Sequence, residues 1–335
     1  MKRYIRYVLL MVLSLLPINV FAATELTQAE FDAAKAGTSS IFDYDSTNHR
    51  YVFKNDGVYE LAEDIDISSD SIGVVQIIIL DFQGKTISTL DGIQVKEHGS
   101  LNIISGGTIN SIYNSLSVDE GCEAEVGGGT YEGTVYAGPN SFLTIHGGTF
   151  SGNNHNQAAL FVYDMSEVRI DSGEFFGAEL GYSVNTGINV VSSTINPTGS
   201  LTINGGIFRG LFGMSIPIEA SSIVHIAGGD YSGEYGGAAI QLVDHNNGFD
   251  FNTLLVDGYE YIPELIVDDS DDEVLLTQSS LVVRRKVVQQ VAAETPTEEK
   301  KEETKNPKTG DFIRIYVLTL FISALGLLVL RKRMN

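Results

Sequence analysis

Chemistry in this chain of 335 residues would rest on a short roster of side chains. Two close carboxylate pairs, Asp164 with Glu167 and Asp171 with Glu174, are the candidates for acid–base work. Hydrolysis by two carboxylates needs them about 5–9.5 Å apart in a groove. Acids fill the outward sites of most segments here, so close pairs arise without function. Elimination on an acidic sugar polymer would need a strong base and a cation or basic group to neutralise the substrate. Between Gly99 and Pro263 the only Lys or Arg residues are Arg169 and Arg209. His146, His225 and His245 are scattered rather than clustered with Asp and Arg. Cys122 stands alone, which excludes an intrachain disulfide and leaves a small packed or partly exposed thiol. The acidic run Asp268 to Glu273 lacks the spaced ligands and glycine of a calcium-binding loop, so a solvated loop is expected. No metal site, cofactor or catalytic residue is predicted. The remaining candidate for chemistry is a peptide bond. Asn306-Pro307-Lys308-Thr309-Gly310 precedes an apolar run, Ile315 to Leu330, and then Arg331-Lys332-Arg333.

The elements that position everything else are internal repeats, which decide the fold before any local reading does. Leu201-Thr-Ile-Asn-Gly-Gly-Ile-Phe208-Arg-Gly210 returns as Leu143-Thr-Ile-His-Gly-Gly-Thr-Phe150-Ser-Gly152. Further copies begin at Val168 and Val224, with shorter ones at Leu101 and Val126. Each copy alternates apolar and polar residues, as a strand with one buried face does. The glycine pair supplies the backbone freedom for a sharp turn or close approach. Thr130 and Thr149 should then point outward, and Tyr131 and Phe150 inward. Anchor to anchor, from Ile109 through Tyr131, Phe150, Phe175 and Phe208 to Tyr231, the steps are 22, 19, 25, 33 and 23 residues. One or two short strands per step suit a turn of a parallel β-helix, whereas a propeller blade needs about 40 residues. The aromatic anchors are expected as an interior stack and not as a sugar-binding platform. The 33-residue step predicts a loop at Ser183 to Thr198. With Gly152 to Gln157 and Asp244 to Asp250, it is rich in Asn and Ser, residues that make turns and also suit sugar hydroxyls.

This repeat, roughly L-T-I-x-G-G-T-F-x-G, resembles that of right-handed parallel β-helix proteins on Gram-positive bacterial surfaces, pectate-lyase-like in fold. The resemblance covers about Val58 to Tyr261. It implies an all-β solenoid of seven or eight turns and leaves activity open, because such folds include enzymes, binders and passive stalks.

The segments around the solenoid follow from their own physics. Lys2, Arg3 and Arg6, an apolar run from Tyr7 to Leu16, and Val20-Phe-Ala22 make residues 1–22 a signal peptide, cut between Ala22 and Ala23. Residues 23–50 form an N-terminal cap, with a helix from Leu26 to Gly37. Thr27 and Glu30 suggest a capping box, Leu26 and Phe31 a hydrophobic staple, and Gly37 the stop. Residues 51–262 carry the β-helix, and 263–292 add C-terminal cap strands at Val274-Leu-Leu and Leu281-Val-Val. Residues 293–305 mix dense charge with no apolar period and read as a disordered linker. Residues 312–330 are long enough to halt in a bilayer, with the basic tail 331–335 held on the cytoplasmic side.

Pentapeptide, apolar span and basic tail in that order resemble the cell-wall sorting signal of Gram-positive bacteria, although Asn306 stands where Leu is usual. The resemblance implies that a sortase thiolate cuts between Thr309 and Gly310 and passes the Thr309 carboxyl to a peptidoglycan amine. Residues 23–309 would keep 14 basic and 42 acidic side chains, a net −28. That surface repels nucleic acid and other polyanions. The expectation is a secreted, wall-anchored surface protein that spans the membrane transiently, an adhesin or glycan-binding module facing a glycan or host ligand. A passive envelope element and a polysaccharide-active lyase or hydrolase are the alternatives.

Overall fold

The computed structural model describes residues 23–286 except 154–157, 179–184, 193–196, 235–236, 244–248, 266, 269–273 and 277–278. The segments expected to be signal peptide, linker, sorting pentapeptide, membrane span and basic tail lie outside the described residues, as does His245. Within them the chain is a parallel β-solenoid of about eight turns.

Each turn crosses three faces, with a separate strand on each except where Thr108–Val118 and Thr130–Ala137 serve the second and third together. The first face is a nine-stranded parallel sheet that runs from Thr24–Leu26 to Val224–Ile226. Its strands carry the Leu-x-Ile part of the repeat. Leu101, Ala124, Leu143, Val168, Leu201 and Val224 are register partners in series. The second face follows the glycine corner. There Ile65, Ile87, Ile109, Tyr131, Phe150, Phe175, Phe208 and Tyr231 pair one above another. The third face stacks Ile72, Ile93, Leu116, Val135, Leu160, Ile188, Met214 and Ile240. All three series point inward and are buried. Period-two alternation thus lays three continuous apolar ladders into one core.

The aromatic anchors do form the interior stack. Ring centroids from Tyr131 through Phe150, Phe175 and Phe208 to Tyr231 are 4.8, 4.6, 5.0 and 4.8 Å apart, with planes within 17°. At the two ends of the stack the phenol donates to a glycine carbonyl, Tyr131 to Gly128 and Tyr231 to Gly228. The Phe rings between them have no polar atom to satisfy.

The N-terminal helix α1 spans Gln28–Lys35 and buries Phe31 and Ala34 over the first turns. It is shorter than expected, because Leu26 belongs to the first strand of the first face. The capping box does not form: Thr27 makes no side-chain cap bond. Long-range partners replace it. Glu63 accepts from the Gln28 amide at 2.7 Å, and Glu30 accepts from the Ser39 hydroxyl at 2.9 Å. The helix ends as the sequence indicates, with Gly37 at φ +72° and the Thr38 and Gly37 amides on the Ala33 and Ala34 carbonyls.

Asp70 fastens this cap to the solenoid. It is 1% exposed and accepts from Lys35 and Tyr44 at 2.7 Å and from Ser69 at 2.8 Å. Burial alone would raise its carboxyl, but these donors outweigh that cost and hold it below the usual carboxylate value.

The cap passes into the solenoid through one strand. Arg50–Phe53 pairs antiparallel with Phe42–Asp45 and parallel with Ser71–Val74, so the cap and the first turn share a strand. At the other end, Ser280–Arg285 lies antiparallel between Gly229–Gly233 and Tyr259–Ile262. That strand covers an edge that would otherwise expose unpaired backbone.

Two expectations about the turns change. Each turn crosses three faces where one or two strands were expected, since the third-face stretch carries no glycine pair to announce it. The loop placed at Ser183 to Thr198 contains the third-face strand Thr186–Val191, whose Ile188 and Val190 are buried.

Candidate functional site

Successive turns bring residues 19–33 apart in sequence side by side on the outward side of the first face. Asn102, Glu125, Thr144, Arg169, Thr202 and His225 stand in one row. Glu123 and Glu167, with Ser200 beyond, lie one step along the strands in a parallel row. A shallow groove of about 270 Å³ runs between them, lined by Glu123, Glu125, Thr144, Glu167, Arg169, Ser200 and Thr202.

At one margin His146 spans three turns. Its Nε2 lies 2.8 Å from Glu125 and its Nδ1 2.8 Å from Asp171. Asp171 also accepts from Arg169 at 2.8 Å and Asn204 at 2.9 Å. Two carboxylates can both accept from the ring only when both nitrogens carry protons, so this pairing favours the imidazolium. The Glu125 bond is the main cause of its raised pKa, with Asp171 adding to it against a desolvation cost. Burial alone would raise the Asp171 carboxyl, yet Arg169, Asn204 and His146 together hold it low.

The sign of the pH dependence follows. A group whose folded pKa lies above its ordinary 6.5 contributes stability fully below 6.5 and loses it as pH rises through the folded value. The ring is 43% exposed, so the effect stays below about 1 kcal/mol. Wild type should therefore exceed His146→Gln in urea midpoint at pH 5.5, with the gap closing above the raised pKa. A gap that widens with rising pH would contradict the imidazolium assignment.

The carboxylate pairs read from the sequence are divided by this geometry. Asp164 is fully buried and accepts from Ser192, whereas Glu167 is exposed on the groove. Asp171 is tied into the His146 cluster. Glu174 instead lines a second hollow, of about 640 Å³, along the glycine corner with Gly173, Gly206 and Asp230. The two arginines are engaged as well: Arg169 binds Asp171, and Arg209 lies 5.9 Å from the centre of the Phe176 ring. His225 is exposed on its own turn. Cys122 is a buried free thiol, and burial pushes its pKa up. Among the described residues no three His, Cys, Asp or Glu side chains are grouped to hold a metal ion.

One set of outward side chains escaped the sequence reading. Tyr136, Phe161 and Tyr163 are half-buried on the outer side of the third face. Their trace was present as Val135-Tyr136-Ala137 and Leu160-Phe161-Val162-Tyr163, where aromatics occupy the outward phase of a buried alternation.

Fold and surface together define a class, a parallel β-solenoid with polar, acid-rich outer faces. Beyond that class no kinship is established: no family model, curated protein or solved structure matches the chain.

Proposed function

We propose that the chain is a secreted surface protein of a Gram-positive bacterium, joined to peptidoglycan through Thr309, whose right-handed β-helix serves as a glycan-binding module or adhesin. Three consecutive features of the sequence carry this reading: the pentapeptide Asn306 to Gly310, the apolar run 312–330 and the basic Arg331, Lys332 and Arg333. The hydrophobic run halts export in the bilayer while the cations remain inside. A sortase thiolate then attacks the Thr309 carbonyl, Gly310 leaves as an amine, and a wall amine releases the thiolate by taking the acyl group. The right hand is the one that parallel strand crossovers adopt almost without exception. Linker residues 293–305 span about 45 Å when extended at roughly 3.4 Å each, which favours a wall or neighbouring glycan over a distant receptor. The outer faces of the solenoid supply hydroxyl, amide and carboxylate groups suited to sugars.

Thr309→Ala tests the anchoring. The fraction released from walls only by a muralytic enzyme should fall at least tenfold, with the protein moving to membrane and medium. Wall linkage equal to wild type would refute the proposal.

A further inference from the structure

The third face differs from the other two in its outward row. Gln94, Ser117, Tyr136, Phe161, Asn189 and Ser215 are register partners over six successive strands, and none is charged. The equivalent rows hold Glu125, Arg169 and His225 on the first face, and Glu132 and Arg209 on the second. In a secreted portion of net −28, an uncharged row of that length is a departure that needs a cause.

Its centre is aromatic. Tyr136 and Phe161 are directly paired, about 4.8 Å apart as neighbouring strands are. Tyr163 lies two residues beyond Phe161 on the same side. Its ring meets that of Tyr136 with centroids 5.4 Å apart and planes at 63°. Gly138 makes room for this arrangement, since a Cβ there would come within 3.1 Å of the Tyr136 ring. The two tyrosine rings thus hold each other, and the sheet beneath sets Phe161 beside Tyr136, which limits the freedom to be lost on binding. Ser117 and Asn189 flank them in the same row.

We infer that Tyr136, Phe161 and Tyr163 form a stacking platform for an uncharged glycan, with the half-buried Asn189 beside it to bond sugar hydroxyls. The inference rests on the glycan-binding reading above and gives it a site and a ligand class. A pyranose presents an apolar C–H face ringed by hydroxyls, which matches aromatic rings flanked by an amide. The protein's own field repels a polyanion. A cationic peptide would seek carboxylates, and this row has none. A purely apolar partner would leave the flanking polar groups buried without partners.

The test uses the full chain in a sugar-free detergent, titrated with neutral hexaoses of β-1,4-linked glucose, β-1,3-linked glucose and β-1,4-linked N-acetylglucosamine. An oligogalacturonate serves as the anionic comparator. Binding is read by isothermal calorimetry, because the chain has no Trp and only two of its 15 Tyr lie on the platform. At least one neutral hexaose should bind while the oligogalacturonate does not. Phe161→Ala and Tyr163→Ala should each weaken that binding about tenfold, the loss of one stacked ring. Phe161→Tyr, which keeps the ring, and Glu25→Gln, exposed on the first strand of the first face, should bind as wild type does. Neutral-hexaose binding that survives both alanine changes would sink the platform and leave the glycan-binding reading standing. Failure of every hexaose to bind would overturn both. Self-association that depends on Phe161, seen by sedimentation, would assign the face to a second copy and overturn the platform.

Discussion

Replacing Phe175 by alanine is expected to destabilise the solenoid by about 4 kcal/mol, the range of buried Phe→Ala changes. The ring is fully buried and stacked on both sides, 4.6 Å from Phe150 and 5.0 Å from Phe208. Its removal opens a hole between two rigid neighbours. Those neighbours are anchored by parallel strands in fixed register, so they cannot collapse inward to fill it. The loss therefore includes the transfer term, the cavity and two ring–ring contacts. In a solenoid each turn touches only its neighbours, so the damage should be felt as a weakened junction at the centre of the array. Thermal unfolding of wild type and variant should differ by about 10 °C. A shift within 2 °C would mean that the ring does not sit in a continuous stack.

Gly206→Ala is expected to cost about 3 kcal/mol, even though it adds a single carbon. The glycine lies at φ +127°, a region that only glycine occupies comfortably. A Cβ there would fall 2.8 Å from Phe208 Cζ and 3.1 Å from the Gly173 carbonyl oxygen. Strain and collision act together, and the atom displaced belongs to the aromatic stack itself. Gly84→Ala provides the contrast. That glycine is at φ +72° with open space where a Cβ would stand, so only the left-handed penalty of about 1 kcal/mol applies. Denaturant midpoints at matched m-values decide between them. Equal costs at the two positions would show that the corner is not packed against the Phe208 ring.

The same corner explains why so much of the fold was legible in the sequence. A glycine pair sets the phase of each copy, so Phe150, Phe175 and Phe208 can be aligned by eye despite steps of 19 to 33 residues. Inward pointing then follows from alternation alone. The third strand of each turn has no such marker. Thr186–Val191 sits among Asn and Ser residues and reads as loop, because only Ile188 and Val190 show the buried phase. The capping box at Thr27 and Glu30 was legible as a local motif, and tertiary partners at Glu63 and Ser39 displaced it.

The site was harder to see for a related reason. His146 lies 21 residues from Glu125 and 25 from Asp171, and their contact depends on the register of separate turns. No spacing rule predicts that when loop lengths vary. Tyr136, Phe161 and Tyr163 were hidden in plain alternation, while the inward aromatics of the repeat drew attention first. The pentapeptide Asn306 to Gly310, proposed as a sorting motif, is the opposite case, a linear pattern that needs no fold to be read.

Mass spectrometry of protein released from bacterial walls by a muralytic enzyme tests the central proposal most directly. The account predicts a chain that begins at Ala23 and ends at Thr309, joined through its carboxyl to a peptidoglycan fragment. A chain that ends intact at Asn335 and is found only in membranes would contradict it.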